Sequence, residues 1–275
     1  MTENVISGEL KKDALDYTID VFHRGRFQLV QPKKIGHRSG MDAMILAATI
    51  PDDASGKLAD LGAGAGAAGL AVASRVENIT VTLVEQSPVM LDFAHRSLAL
   101  EANAAYHNRI EILGADVTLT GTARRTAGLA DRSCNWVILN PPYNDASDRR
   151  PPDELRAQAR AMSDSDVFEK WLRTACAILA PDGQVSVIAR PGSIGLILDA
   201  FEGRFGATEI TPVHPRPDDE ALRILVTAIK HSRAALKICP PLVIHEGAGH
   251  QFSERMIALS NGLSELPRRP ARKSK

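Results

Sequence analysis

Short apolar runs, each closed by a glycine, a proline or a polar side chain, alternate along the chain with stretches whose apolar residues return every three or four positions. The first kind predicts buried strands at 57–61, 80–85, 110–113, 136–139 and 184–189. The second kind predicts helices between them. One follows Ser39-Gly40, runs from Met41 to Ala48 and is closed by Pro51. A second covers Leu70 to Arg75, and a third opens with Ser87 as cap and Pro88 as first residue, burying Met90, Ala94 and Leu98 with Phe93 and Leu100 beside them. A helix over 166–180 turns Val167, Phe168, Trp171, Leu172, Ile178 and Leu179 inward and stops at Pro181-Asp182-Gly183. A last helix spans 194–201 before strands at 207–213 and 222–229, which enclose the loop 214–220; 240–247 adds an edge strand. The stretch 121–133 is polar and basic, a loop or short helix.

At 275 residues the chain can bury a substantial core, and 44% apolar with 24% charged residues is ordinary for a globular protein. We divide it into a basic segment and helix over 1–50, a catalytic domain over 51–250, and a helix with a disordered basic tail over 251–275. No apolar run approaches a spanning helix and 1–20 is unlike a secretory signal, so the expected compartment is the cytoplasm. Cys134, Cys176 and Cys239 are widely spaced and pair with no histidine, so neither a disulfide framework nor a metal site is expected. Net charge is zero but uneven. Arg24, Arg26, Lys33, Lys34 and Arg38 form one basic stretch, and Arg268, Arg269, Arg272, Lys273 and Lys275 another. Such patches either track a phosphate backbone or form solvated surface. Arg156 and Arg160 share one helical face, to meet phosphates or to pair with Asp153 and Glu154.

The run Trp136-Val137-Ile138-Leu139 stops at Asn140-Pro141-Pro142-Tyr143. Two prolines fix the backbone and bias Asn140 to an extended conformation, aiming its carboxamide out of the carboxyl end of the sheet. An amide oxygen there accepts one hydrogen of an amine, the Pro141 carbonyl accepts the other, and Tyr143 offers a face on which a planar group stacks. The alternative is a strand-ending turn with an exposed aromatic residue.

The turn after 57–61 admits two parses. Gly64, Gly66 and Gly69 fit the dinucleotide pattern Gly-x-Gly-x-x-Gly, with Glu85 at the distance expected for a ribose ligand. Asp60, Gly62, Gly64 and Gly66 fit acid-x-Gly-x-Gly-x-Gly, in which the carboxylate faces an ammonium instead of a phosphate, as S-adenosylmethionine would present. Under either parse Glu85 can accept ribose hydroxyls. Asp116, after the third of these strands, either binds an adenine amine or caps its own turn.

On the segments 38–43, 60–66, 140–143 and 188–191 the chain resembles class I S-adenosylmethionine-dependent methyltransferases, over 28–230. Within these it is most similar to the bacterial family that methylates the 6-amino group of adenine 37 in a valine tRNA. The resemblance implies an α/β, Rossmann-like, seven-stranded and mostly parallel sheet whose last strand is antiparallel. It implies S-adenosylmethionine as cofactor, held by Asp60, Gly62, Gly64 and Gly66 at its amino-acid end, by Glu85 and Asp116 at ribose and adenine, and by Met41 and Asp42 beside them. Asn140, Pro141 and Tyr143 would hold the target amine, and Arg24, Arg38, Arg156, Arg160 and Arg190 a tRNA. Methylation of a protein glutamine or a small molecule, O-methyl transfer included, is the alternative, and an NAD-dependent oxidoreductase a more distant one.

Overall fold

The computed structural model describes residues 16–33, 40–142, 164–247, 249–266 and 268. Strands β1 (Tyr17–Phe22) and β2 (Phe27–Pro32) form an antiparallel hairpin. The main sheet holds β3 (Gly56–Leu61), β4 (Ile79–Glu85), β5 (Ile110–Gly114), β6 (Cys134–Leu139), β7 (Leu179–Ala189), β8 (Phe205–His214) and β9 (Arg223–Lys230) in the order β8-β9-β7-β6-β3-β4-β5. Strands β3 to β7 pair in parallel, and β9 runs antiparallel to both β7 and β8. That is the expected seven-stranded arrangement. Two short strands, β10 (Lys237–Ile238) and β11 (Leu242–Val243), extend it along the outer side of β8.

Seven α-helices are described: α1 (Met41–Ala47), α2 (Ala67–Arg75), α3 (Pro88–Leu98), α4 (Gly121–Thr126), α5 (Asp164–Ile178), α6 (Ile194–Phe201) and α7 (Glu254–Ser260). The sheet sorts its side chains by the two-residue period of a strand. Ile138 and Ile188 join one core with α1, α2, α3, α7 and the hairpin, while Val137, Leu139, Val187 and Ala189 join the other with α5 and α6. Both faces are covered, which is why these strands read as continuous apolar runs. Burying each such Ile or Leu contributes about 1.5–3 kcal/mol.

Local signals set the helix starts. Ser87 Oγ accepts the Met90 N–H at 3.4 Å and Pro88 supplies the first helical residue of α3. The end of α5 departs from expectation: the helix stops at Ile178, and Leu179 already pairs with Cys134 in the sheet. The segment 180–183 then accommodates a register shift between Cys134 and Trp136, with Asp182 at φ 60°.

The hairpin β1–β2 stands where the sequence shows a basic segment. Only β2 is buried along its length, while Tyr17, Ile19 and Val21 of β1 point outward, so the alternation carries no inward stripe. Asn103 anchors β2 by accepting the Gln28 N–H at 2.9 Å and donating to its carbonyl at 2.7 Å. The tail expected to lack structure is fixed at Arg268. Its guanidinium donates to Thr227 Oγ1 at 2.9 Å and to the Ala207 carbonyl, beside the buried Glu209.

Candidate functional site at the carboxyl ends of the strands

Because β3 to β7 are parallel, the residues following each strand collect along one edge. Gly62 to Gly66 follow β3, Glu85 ends β4, Asp116 lies two residues past β5, Asn140 and Pro141 follow β6, and Arg190 follows β7. Strand β6 pairs with both β3 and β7, so the Asn140 turn sits between the glycine turn and Arg190, about 5 Å from each neighbouring strand. Arg223 opens the antiparallel β9 and therefore reaches the same edge, where its Nε donates to Asp42 Oδ2 at 2.9 Å in the first turn of α1.

The glycine turn has positive φ at Gly62 (72°), Gly64 (57°) and Gly66 (94°), conformations that side chains resist. The Gly62 and Ala63 N–H groups donate to the Val84 carbonyl and that of Gly66 to the Ala63 carbonyl, while two carboxylates take the N–H groups of Gly64 and, in α2, Gly69. Asp60 is buried, and its Oδ2 accepts the Gly69 N–H of α2 at 2.9 Å. Glu85 Oε2 accepts the Gly64 N–H at 2.9 Å, and its Oε1 accepts those of Gln86 and Ser87 at 2.8 Å each. Burial pushes the Asp60 carboxyl up to about 7; the Gly69 N–H opposes the rise and the charge of Glu85 adds to it.

This arrangement bears on the two parses. Gly64 and Gly69 are two of the glycines of the dinucleotide pattern, and both of their N–H groups are occupied by carboxylates. A pyrophosphate would meet two carboxyl groups where it needs donors. A ligand bearing ammonium and sulfonium charges meets a favourable field, and Glu85 retains a lone pair for a hydroxyl. The backbone can be approached at Gly64, where an added Cβ would find only Met90 Cε, at 3.5 Å. The residues present therefore fit S-adenosylmethionine.

The other sequence-predicted residues divide into three groups. Asn140 is half-buried and Pro141 buried at the edge, with Arg190 half-buried beside them. Asp116 Oδ1 accepts the Thr118 N–H at 2.7 Å, capping its own turn while staying on the edge. Met41 packs against the core at the start of α1. Arg24 is not brought to the site: it lies in the hairpin turn next to His23, whose Nδ1 is 2.8 Å from Ser74 Oγ in the last turn of α2, at the opposite end of the sheet. Tyr143, Arg38, Arg156 and Arg160 lie outside the described residues. Two residues at the edge have no local signature. Arg223 reaches Asp42 across 181 positions, and Trp171 of α5 lies against Gly62, where an added Cβ would come within 2.8 Å of its Cζ3.

A family model described as methyltransferase small domain matches residues 38–210. The chain belongs to that family. The protein is thus an S-adenosylmethionine-dependent methyltransferase. It is 26% identical over 251 residues to the tRNA1(Val) (adenine(37)-N6)-methyltransferase of Shewanella loihica, covering 90% of this chain and 97% of that protein. The release factor glutamine methyltransferase of Bifidobacterium longum is 33% identical over 135 residues, 45% of this chain and 44% of its own. Among solved structures, Atu636 of Agrobacterium tumefaciens, described as a predicted O-methyltransferase, is 48% identical with a TM-score of 0.72, covering 82% of this methyltransferase and 99% of that chain. Among the described residues no group of three His, Cys, Asp or Glu can hold a metal ion, and no helix is long and apolar enough to cross a membrane. All three cysteines are free thiols.

Proposed function

We propose that this methyltransferase acts on the exocyclic 6-amino group of an adenine in tRNA. The observation that carries the reading is the position of Asn140-Pro141 directly after β6, beside the glycine turn that follows β3. The similarity to the Shewanella loihica enzyme over nearly the whole of both chains supports it. S-adenosylmethionine, when bound, supplies a methyl group already activated on a sulfonium. Asp60, Gly62, Gly64, Gly66, Glu85 and Asp116, with Met41 and Asp42 beside them, are the residues we assign to holding it.

The chemistry left to the chain is to hold the acceptor nitrogen in line and to exclude water. A ring-conjugated amine shares its lone pair with the ring and is a poor nucleophile. The Asn140 side-chain oxygen accepts one amine hydrogen and the Pro141 carbonyl the other, drawing the nitrogen toward the tetrahedral form and strengthening as the methyl arrives. Tyr143 keeps from sequence the role of stacking on the base, which must be splayed from its neighbours to enter. Arg190 stands on the same edge and we assign it to a phosphate; Arg38, Arg156 and Arg160 keep that role from sequence. A carboxamide accepts hydrogen bonds without acting as a base, which suits an amine better than a hydroxyl needing deprotonation.

The similarity to the Bifidobacterium longum enzyme favours a second reading, methylation of a glutamine side chain, since that acceptor is also an NH2 group. Transfer of a labelled methyl group to unmodified bulk tRNA and, separately, to total protein distinguishes the two, with Asn140→Ala as blank. Label recovered as 6-methyladenosine is the expected result. Label in protein alone would replace the first reading with the second.

A further inference from the structure

The turn that we assign to the cofactor is Gly62-Ala63-Gly64-Ala65-Gly66, a backbone with almost no side chain of its own. Glycines lose more conformational freedom on ordering than any other residue, so such a turn takes its shape from what surrounds it. Two side chains stand where its missing Cβ atoms would be, and a third lies in contact range of a Cβ position. Leu83 Cδ1 lies 2.8 Å from the Cβ position of Gly66, Met90 Cε 3.5 Å from that of Gly64, and Trp171 Cζ3 2.8 Å from that of Gly62. Leu83 belongs to β4 and is fully buried in the core; Met90 is a flexible thioether at the start of α3. Trp171 is the rigid, planar support, and it comes from the other face of the sheet, on α5 among Val167, Phe168 and Leu172.

We infer that Trp171 is a positioning residue for the cofactor: its indole, seated against Gly62, fixes the first residue of the turn and so the spacing of the backbone that the cofactor's amino-acid end must meet. The inference rests on the cofactor site proposed above. Gly62 has two reasons to be glycine, its φ of 72° and the indole lying in the place of a Cβ. Trp171 lies in the middle of α5, so the part of that helix packed into the core is also the part that braces the cofactor turn. The helix face that sequence reads as plain core thus also sets the site.

The chain holds only two tryptophans, and Trp136 is far from the edge, its Nε1 donating to the Ser55 carbonyl at 3.0 Å before β3 begins. A Trp136→Phe protein therefore isolates Trp171 as a fluorophore. Titrated with S-adenosylhomocysteine, it is expected to change emission with the same midpoint that calorimetry gives, while Trp171→Phe shows no change. Calorimetry should find the dissociation constant raised about 30-fold in Trp171→Ala and no more than about threefold in Trp171→Phe, which keeps a ring against Gly62. An emission change that survives in Trp171→Phe, one absent from Trp136→Phe while calorimetry shows binding, or full affinity in Trp171→Ala would each overturn the inference. If Trp171→Ala does not fold, the fluorescence comparison decides, since it needs only the intact residue and its Phe variant. Glu85→Ala tests the site itself. Binding lost there but kept in Trp171→Ala would overturn the role of Trp171 alone, and binding kept in Glu85→Ala would remove the site and the inference together.

Discussion

At the amino end of the parallel strands buried and half-buried cations are laid against carbonyls, Arg75 also pairing with Asp52. Arg75 donates to the carbonyls of Ala47 and Ile50 at the end of α1; Arg109 donates to those of Ala73, Val76 and Ile79 at the end of α2; Lys230 donates to Leu179. At the carboxyl end the pattern reverses, and Asp60, Glu85 and Asp116 accept N–H groups. The helices after β3 and β4 start at the carboxyl end and finish at the amino end, so their dipoles favour anions at one end and cations at the other. What differs is the capacity left over. A guanidinium spent on three carbonyls is finished as a structural part, whereas a carboxylate with a free lone pair beside an open glycine turn can still take a hydroxyl or a cation.

The largest expected break in that symmetry is chemical. Asn140→Ala should lower turnover about 100-fold or more while the affinity for S-adenosylhomocysteine changes by less than about threefold, measured by single-turnover kinetics and calorimetry. Equal losses in both would mean that Asn140 shapes the cofactor site instead of holding the acceptor. At the other end Arg109→Met should act on stability alone. Three carbonyls lose a charged donor, so denaturant unfolding should show a loss of about 2–4 kcal/mol, with activity per folded molecule within about twofold of the parent.

The sheet, its order of strands and the start of α3 could be read from the chain because their causes are local. Apolar runs mark strands covered on both faces, and Ser87-Pro88 marks a helix start. The β1–β2 hairpin could not, since its stability comes from Asn103 and Ser97, which bind β2 from distant positions. The candidate site was legible to the same degree. The candidates Asp60, Gly62, Gly64, Gly66, Glu85 and Asn140 lie at the end of a strand or in the turn after it and stand out by that position. Arg223 and Trp171 act across long sequence separations and look like an ordinary strand cation and an ordinary core aromatic. Arg24 shows the converse: its charge is visible in sequence, but the end of the sheet to which a hairpin carries it is not.

Asp60 sharpens the comparison by pH. Its pKa rises from 3.8 to about 7 on folding, so its contribution to stability is complete below about pH 4 and is lost as pH rises through about 7. The cofactor-free protein should therefore lose stability between about pH 4 and 7 through this group. The ligand's ammonium prefers the ionised carboxylate, so affinity for S-adenosylhomocysteine should rise by about tenfold between about pH 6 and 8. Asp60→Asn should flatten both trends; an unchanged pH dependence in that variant, read by calorimetry and thermal melts, would assign the titration to another group. The smallest effect is expected at Arg24. Arg24→Ala should leave turnover on the proposed tRNA substrate within about twofold, since it sits at the amino end and surface substitutions there touch nothing in the candidate site; a tenfold loss would bring the hairpin into substrate binding.

Amide hydrogen exchange with and without S-adenosylhomocysteine tests the division between the two ends most directly. Added protection is expected at Gly62 to Gly69, at Glu85 to Ser87 and around Asp116, with none at the hairpin turn of His23 to Arg26 or the last turn of α2. Protection centred on that hairpin turn, or spread equally over both ends, would contradict the placement of the cofactor at the carboxyl edge.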